Sequence, residues 1–227
     1  MPSRKPVPAL LPWLTALAAA PAVLVVAAIA AARFGGADLA VSYDLLTWTV
    51  ARVLAWFGLA GALVAALLAF GDLRRRGLYA ILALALSGAT VGVFLWQAQR
   101  LAADNARDVS SDTAEPPAFS RLAAFHRGST PAGASQCAAV RAIPTQVLAQ
   151  QATSALVDAG FQVARASTFE AEGAHEGAWF GFAYDAVIRI RPGRTDIRVA
   201  ARDARPDGGA TCRLAGKLAD ALAANAR

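Results

Sequence analysis

The chain has 227 residues, of which 56% are apolar, and a formal net charge of +6. Soluble domains contain about 45–50% apolar residues, so part of this chain is built for lipid. The positive charge does not indicate a nucleic-acid-binding protein, because residues 100–227 carry 15 basic and 13 acidic side chains, a net of only +2. The rest of the excess flanks apolar stretches, where basic residues set membrane topology.

Three apolar stretches precede residue 100, at about residues 10–32, 53–70 and 78–96. Each is free of charged residues and close to the ~20 residues that cross ~30 Å of hydrocarbon as a helix. We therefore predict a membrane anchor over residues 1–99 with three transmembrane helices. A cleaved signal peptide is the alternative for the first stretch, but its apolar run exceeds the roughly 7–15 residues of such a peptide.

Basic residues predict the orientation of these helices. Arg4 and Lys5 precede the first one, and three arginines at residues 74–76 lie on the short loop between the second and third. Because this compact cluster belongs on the cytoplasmic side, we predict a multi-pass protein of the inner, cytoplasmic membrane with a cytoplasmic N-terminus. The C-terminal domain is then periplasmic or otherwise extracytoplasmic, and the lipid bilayer is a predicted partner.

Residues 100–136 are polar and rich in proline, glycine and serine, which predicts an extended linker or wrapping segment. The globular domain is predicted at residues 137–227. Its apolar periodicity predicts a helix, three strands and a closing helix, at residues 145–159, 161–169, 179–191, 195–201 and 214–224. This order favours a small α+β domain with an antiparallel sheet and flanking helices.

Three groups of residues in this half of the chain resemble the motifs of the domain-of-unknown-function family 1499. The first comprises Asn105, Asp108-Val109-Ser110, Asp112, Pro116-Pro117 and Phe119. The second comprises Glu170-Ala171, Trp179-Phe180-Gly181-Phe182, Asp185 and Val187-Ile188-Arg189. The third comprises Asp196-Ile197-Arg198, Arg202, Asp207 and Gly209. The resemblance covers about residues 105–224 and implies a domain whose relatives often carry N-terminal membrane helices, but it implies no established activity.

The chain departs from the family pattern at several polar positions. A YPDI-like segment is replaced by Cys137-Ala138-Ala139-Val140, and Tyr184-Asp185 stands where two acids are usual. Val199 and Ala201 replace serines, and Thr211 replaces an asparagine. If those polar residues carry an activity shared by the family, this member has lost part of it.

Ionisable residues concentrate around the last two predicted strands. The candidate ligand-binding set is Asp185, Arg189, Asp196, Arg198, Arg202 and Asp207. Alternate residues of a strand share a face, so most of this set is expected on one side of the sheet. Arginines grouped there can bind an anionic head group or carboxylate. The alternative is a salt-bridge lattice on a solvated sheet face, which we favour.

No catalytic residue, metal site or cofactor is predicted. Glu170, Glu172 and Glu176 flank His175, and the nearby glycines favour a solvated hairpin loop over acid–base chemistry. Recognisable nucleophile, phosphate-loop and zinc motifs are absent from the sequence. Cys137 and Cys212 lack metal-ligand spacing, and an oxidising compartment would favour a disulfide between them over two separate buried thiols.

These observations lead to two hypotheses about function. The first is a non-catalytic cell-envelope protein whose extracytoplasmic domain acts as a binding or scaffold module for an anionic lipid, a glycan or an envelope protein. The alternative is a hydrolase-like envelope enzyme that uses carboxylates such as Glu170, Asp185 or Asp207. The lack of catalytic motifs favours the first hypothesis.

Overall fold

The structure is a computed structural model that describes residues 10–71, 73–103 and 105–226. The chain forms two compact units, Met1–Gln99 and Arg100–Arg227. Arg4 and Lys5, on which the predicted orientation partly rests, lie outside the described residues. The segment predicted as a linker or wrap, residues 100–136, belongs to the second unit.

Among its described residues, the first unit contains three helices that are long and apolar enough to cross a membrane. They are α1 (Leu10–Phe34), α2 (Arg52–Ala69), which continues a π-helical segment at Ala40–Ala51, and α3 (Leu73–Ala102). This confirms the three apolar helices predicted from the sequence. The second of them starts about a dozen residues earlier than predicted.

Polar residues of the π-helical segment explain its early start. The hydroxyl groups of Ser42, Thr47 and Thr49 donate to the carbonyl oxygens of Asp38, Ser42 and Asp44, at 2.9, 2.9 and 3.0 Å. Each hydroxyl is thereby satisfied by a backbone carbonyl oxygen four or five residues earlier, so these residues do not end the helix. Arg52 follows with its guanidinium 5.9 Å from the ring centre of Trp48.

The second unit is an α+β domain, as predicted. Its strands are β1 (Asp108–Ser110), β2 (Gln162–Ala166), β3 (Glu170–Glu176), β4 (Ala183–Arg191) and β5 (Arg194–Ala201). Its longer helices are α4 (Ala149–Asp158) and α5 (Ala210–Asn225), and Ala123–Phe125 form a single 3-10 turn. The five strands pair antiparallel in the order β1-β5-β4-β3-β2.

The predicted hairpin loop around His175 is wrong, because residues 170–176 form β3. Two features allow a strand where the composition favours a loop. A side chain at Gly173 would lie 3.0 Å from Cβ of Phe161, so glycine permits close packing there. Glu172, which has no exposed surface, is compensated by the backbone amides of residues 120–122. Because the amides that compensate Glu172 are about 50 positions away, no local sequence pattern indicates that this side chain is buried.

The sheet is covered on both faces. One face packs against α4 and α5 through an apolar core that includes Leu156, Ile188, Ile197 and Leu218. The other face lies under residues 112–130, which follow β1 and cross the sheet. Phe119 and Leu122 from this covering segment pack against Val187 and Ala200. Central strands β4 and β5 are therefore buried over nearly their whole length.

A disulfide joins Cys137 to Cys212 in the first turn of α5, with a Cα–Cα distance of 5.6 Å. It connects residues 75 positions apart in the sequence. Both cysteines lie at the apolar core between the helices and the sheet. The bridge therefore fixes the end of the polar N-terminal segment to the closing helix.

Candidate functional site

The predicted ionisable residues of β4 and β5 lie under the covering segment, not on a solvated face. Asp185 and Asp196 are fully buried and Arg198 is 6% exposed. Because alternate strand residues share a face, Asp185 and Arg189 of β4 lie on the same side as Asp196 and Arg198 of β5. The lattice is present, but its predicted solvation is wrong. Residues 112–130 cross this face and exclude water from it.

Asp185 is the centre of a buried network. Its carboxylate accepts two hydrogen bonds from Arg202, from Nε and Nη2, both at 2.8 Å. Nε2 of His126 lies 2.8 Å from the same carboxylate. Arg202 in turn stacks on Phe125, with its guanidinium carbon 4.0 Å from the ring centre. The arginine is thus held in one orientation by a bidentate ion pair below and an aromatic ring above.

Burial alone would raise the pKa of Asp185. Hydrogen bonds from His126 and Arg202 outweigh burial, and the pKa is lowered from its usual range. The carboxylate is therefore ionised at neutral pH, and it compensates the positive charge of Arg202.

Arg198 forms a second buried pair beside the first. Its Nε and Nη2 donate to the carboxylate of Asp108 at 2.9 and 2.7 Å. Nη2 also donates to Oγ of Ser129 at 2.9 Å. The ring of Phe119 lies 5.1 Å from the guanidinium carbon of Arg198 and 4.3 Å from the ring of His126. One aromatic side chain therefore separates the two ion pairs.

A cleft of about 350 Å³ opens beside these two networks. Its lining includes Arg107, His126, Ser129, Gln136 and Arg202. We call it the Arg202 pocket. Since Arg202 uses Nε and Nη2 for its ion pair, Nη1 has no hydrogen-bond partner among the described residues, and it is not buried. The same holds for Nδ1 of His126.

The carboxylates in the pocket wall are already paired. Asp108 binds Arg198, and Asp203 lies 2.7 Å from Arg205. The wall therefore offers guanidinium N–H groups whose acceptors are missing, rather than free carboxylates. Such a surface suits an anion that needs several hydrogen bonds.

A separate arginine cluster lies at the opposite end of the sheet, around the β4–β5 turn. Asp196 accepts from Arg189, Arg191 and Arg194 at 3.2, 2.6 and 2.7 Å. Asp112 from the covering segment accepts from Arg191 at 2.9 Å. A hydrogen bond from the backbone amide of Glu115 lowers the pKa of Asp112, and Arg191 adds to this effect. The cluster holds the covering segment to the turn.

Asp207 is not part of either network. It accepts from the backbone amides of Gly209 and Thr211 at 2.8 and 2.7 Å, and from the Thr211 hydroxyl at 2.6 Å. These contacts cap the start of α5. Of the six predicted ligand residues, Arg202 lines the pocket and Asp185 supports it directly. Their predicted ligand-binding role stays a prediction.

The glutamates of β3 are also distant from the pocket wall. Glu170 lies beside Ser120, whose hydroxyl donates to it at 2.9 Å. Burial raises the pKa of Glu170, and the neighbouring Glu172 contributes to the rise. His175 contacts the carbonyl oxygen of Gly160 through Nδ1 at 2.7 Å. No group of three potential metal ligands occurs within residues 10–71, 73–103 and 105–226.

Sequence reasoning missed His126 and Ser129 as members of the site. They lie in an irregular segment with no periodicity, 59 positions before Asp185 for His126. Asp108 and Phe119 could have been found, since both belong to the motif that opens the family resemblance. The family motif thus marked Asp108, whereas no sequence signal marked His126.

Comparison with known proteins supports this resemblance. Residues 108–222 match a family model described as a protein of unknown function (DUF1499). The match starts at the first residue of β1 and includes both ion-pair networks and α5 up to Leu222. Neither a curated protein nor a solved structure gives a significant match to the chain.

Proposed function

The chain belongs to the DUF1499 family, and we propose that it is a cell-envelope protein whose domain binds an anionic group outside the cytoplasm. The anchor is a set of apolar helices in the inner membrane, and the binding module is the Arg202 pocket. In this proposal the domain binds without converting its ligand. The ligand class is a phosphate- or carboxylate-bearing molecule, whether a lipid head group, a glycan or an envelope protein.

The main support for anion binding is that the pocket wall has hydrogen-bond donors without acceptors. Nη1 of Arg202 lacks an acceptor among the described residues, while Asp108 and Asp203 are already paired. An anion can therefore enter without breaking an existing ion pair. Preorganised arginine costs little further side-chain entropy on binding.

The predicted ligand residues divide their roles in this proposal. Arg202 contacts the ligand, and Asp185 orients Arg202. Arg198 holds Asp108 and Ser129 in the wall. Arg189 and Asp196 hold the covering segment at the far end of the sheet, and Asp207 caps α5.

Binding is tested on the full chain in detergent, by isothermal titration with inorganic phosphate and with glycerol phosphate. We expect saturable binding that weakens several-fold in Arg107→Gln, since this exposed arginine lines the pocket without a partner among residues 105–226. Arg141→Gln is the matched control, because Arg141 pairs with Asp220 away from the pocket. Absence of binding at physiological salt, or equal weakening in both variants, contradicts the proposal.

The side of the membrane on which the C-terminal domain lies is tested in a separate experiment. Fusions of alkaline phosphatase and of a fluorescent protein that folds only in the cytoplasm are placed after the last residue. The extracytoplasmic location requires an active phosphatase fusion and a dark fluorescent fusion. The disulfide between Cys137 and Cys212 supports the same side, because such bonds persist in oxidising compartments. A bright fluorescent fusion overturns this part of the proposal.

The His126–Asp185 contact favours hydrolysis as a second candidate function. A carboxylate at 2.8 Å from Nε2 fixes the imidazole and leaves Nδ1 to act as a base on a water in the pocket. Ser129 is a poor nucleophile here, because its hydroxyl donates to the His126 carbonyl oxygen and accepts from Arg198. Turnover of nitrophenyl phosphate or acetate by the full chain, abolished in His126→Asn, would favour this candidate.

A further inference from the structure

The β3–β4 loop presents an aromatic side chain to solvent. Trp179 is 72% exposed, more than any other large apolar side chain described in residues 105–226. It lies in residues 177–182, which contain two further aromatic residues, Phe180 and Phe182. Exposing a tryptophan to water is unfavourable by the free energy of transferring its apolar surface, so covering this side chain with an apolar partner would be favourable.

The loop has a fixed shape. The amide of Gly177 donates to the carbonyl oxygen of Phe182 at 2.8 Å and closes the loop at its base. Gly181 adopts a positive φ of 76°, a conformation that favours glycine. Phe182 packs against the apolar core and holds the loop to the sheet. Trp179 is therefore presented by an ordered loop, and little entropy is lost when it is buried.

The loop lies near the point where the chain enters the sheet. Backbone hydrogen bonds join Ala201 to Arg107 and Arg202 to Ala183, the residue after the loop. The loop thus lies two strand spacings, about 10 Å, from the point where the chain enters the sheet. Only five residues, 103–107, separate that point from the end of α3. They can extend by at most about 18 Å, so the chain enters the sheet a short covalent distance after an apolar helix.

The same end of the sheet is rich in arginine. Arg107, Arg202 and Arg205 lie within the first residues before β1 and after β5. Tryptophan is enriched at the boundary between lipid and water, and arginine favours anionic head groups. Phe125, which is 52% exposed, stacks on Arg202 at this end and adds apolar surface.

From these observations we infer that the β3–β4 loop inserts Trp179 into the interfacial layer of the bilayer that anchors the chain. The partner is the lipid surface itself. This contact holds the pocketed end of the domain at head-group level. It is independent of the ligand of the Arg202 pocket and of the side of the membrane on which the domain lies.

The test keeps Trp179 in place and labels its neighbour. The sequence has 2 cysteines, both in the disulfide, so an added cysteine is a unique site for a spin label. Ala178→Cys labels the loop. Thr168→Cys is the control, because this exposed residue lies beside Phe169 at the other end of the sheet, about 27 Å away along β4. Phe169 is 66% exposed, so the two turns carry similarly exposed aromatic residues.

The labelled full chain is reconstituted into vesicles of phosphatidylcholine and phosphatidylglycerol, and power saturation measures access of oxygen and of an aqueous nickel complex. We expect the Ala178→Cys label to show several-fold less access to nickel relative to oxygen than the Thr168→Cys label. Adding Trp179→Ser to the Ala178→Cys chain should remove this difference. That substitution alters an exposed side chain, so folding should persist.

Three results would overturn the inference. The first is equal nickel access at the two labelled positions in vesicles. The second is an unchanged lipid signature in the Trp179→Ser chain. The third is protection of the loop label in detergent that increases with protein concentration, since this would show that the loop contacts a second copy of the chain.

Discussion

The two faces of the sheet are buried in different ways. The face under α4 and α5 is apolar, and side chains such as Leu156 and Leu218 fill it without directional contacts. The face under residues 112–130 contains buried ion pairs centred on Asp185 and Asp196. Its apolar contribution is a small cluster around Phe119 and Leu122.

This difference separates packing from specificity. Apolar burial tolerates many partners of similar volume, so the helix-covered face requires only the right periodicity. A buried charge requires a particular partner at a particular distance, because an uncompensated one is costly. The ionic face therefore fixes where the covering segment lies, and it shapes the Arg202 pocket.

The largest effect is expected from breaking the Asp185 network. Asp185→Ala leaves the guanidinium of Arg202 and Nε2 of His126 without their acceptor, so the free energy of opening β4 and β5 should fall by about 3–5 kcal/mol. Hydrogen exchange of the strand amides, measured by mass spectrometry on the full chain, gives this value.

Asp220→Ala is the matched control for this change. Its carboxylate is 72% exposed and pairs with Arg141, so the opening free energy should change by less than about 1 kcal/mol. Equal effects of the two substitutions would show that the Asp185 network does not hold the sheet.

On the apolar face, a substitution should lower the opening free energy by a similar or smaller amount than Asp185→Ala. Leu218→Ala removes a fully buried side chain of α5 and should cost about 2–5 kcal/mol. The same exchange measurement applies. Unlike Asp185→Ala, this variant should keep the phosphate affinity of the Arg202 pocket, since Leu218 does not line it. Loss of phosphate binding in a folded Leu218→Ala chain would show that the pocket depends on the apolar face as well as on the ionic face.

Acid should weaken the ionic face and spare the apolar one. The folded pKa of Asp185 lies below its ordinary value of about 3.9, so its stabilising contribution is complete above that pH and is lost as pH falls through the folded pKa. Thermal unfolding midpoints followed by circular dichroism should therefore drop on acidification below about pH 4. The decrease in the unfolding midpoint should be smaller in Asp185→Asn than in the wild-type chain. In Leu218→Ala the decrease should equal that of the wild-type chain. Identical profiles for all three chains would contradict this.

Much of the fold is readable from the sequence because it depends on periodicity. The three apolar helices, the helix before the sheet, three strands and α5 all appear as apolar patterns. The early start of the second apolar helix escaped prediction, because Ser42, Thr47 and Thr49 are satisfied within the helix rather than ending it. β3 escaped because a buried Glu172 depends on amides about 50 positions away.

The site was less predictable because, like the burial of Glu172, it depends on contacts between residues far apart in the sequence. The strand positions of Asp185, Arg198 and Arg202 follow from alternation along β4 and β5. Their partners are His126, which lies in an irregular segment, and Asp108, which lies in the three-residue strand β1. The placement of both depends on long-range contacts. Alternation also assigned these charges to one face but gave no sign that the face is covered. Asp207 lies outside the network because the turn before α5 sets its position.

The pairing of β1 with β5 imposes an order of assembly on the chain. Ser110 lies opposite Arg198, which is made 88 residues later. At about 5–20 residues per second, synthesis of that partner takes roughly 4–18 s. During this interval β1 has no strand to pair with, and Asp108 lacks the guanidinium of Arg198. The strand that opens the domain is thus synthesised first, but it can pair only after β5 has been made.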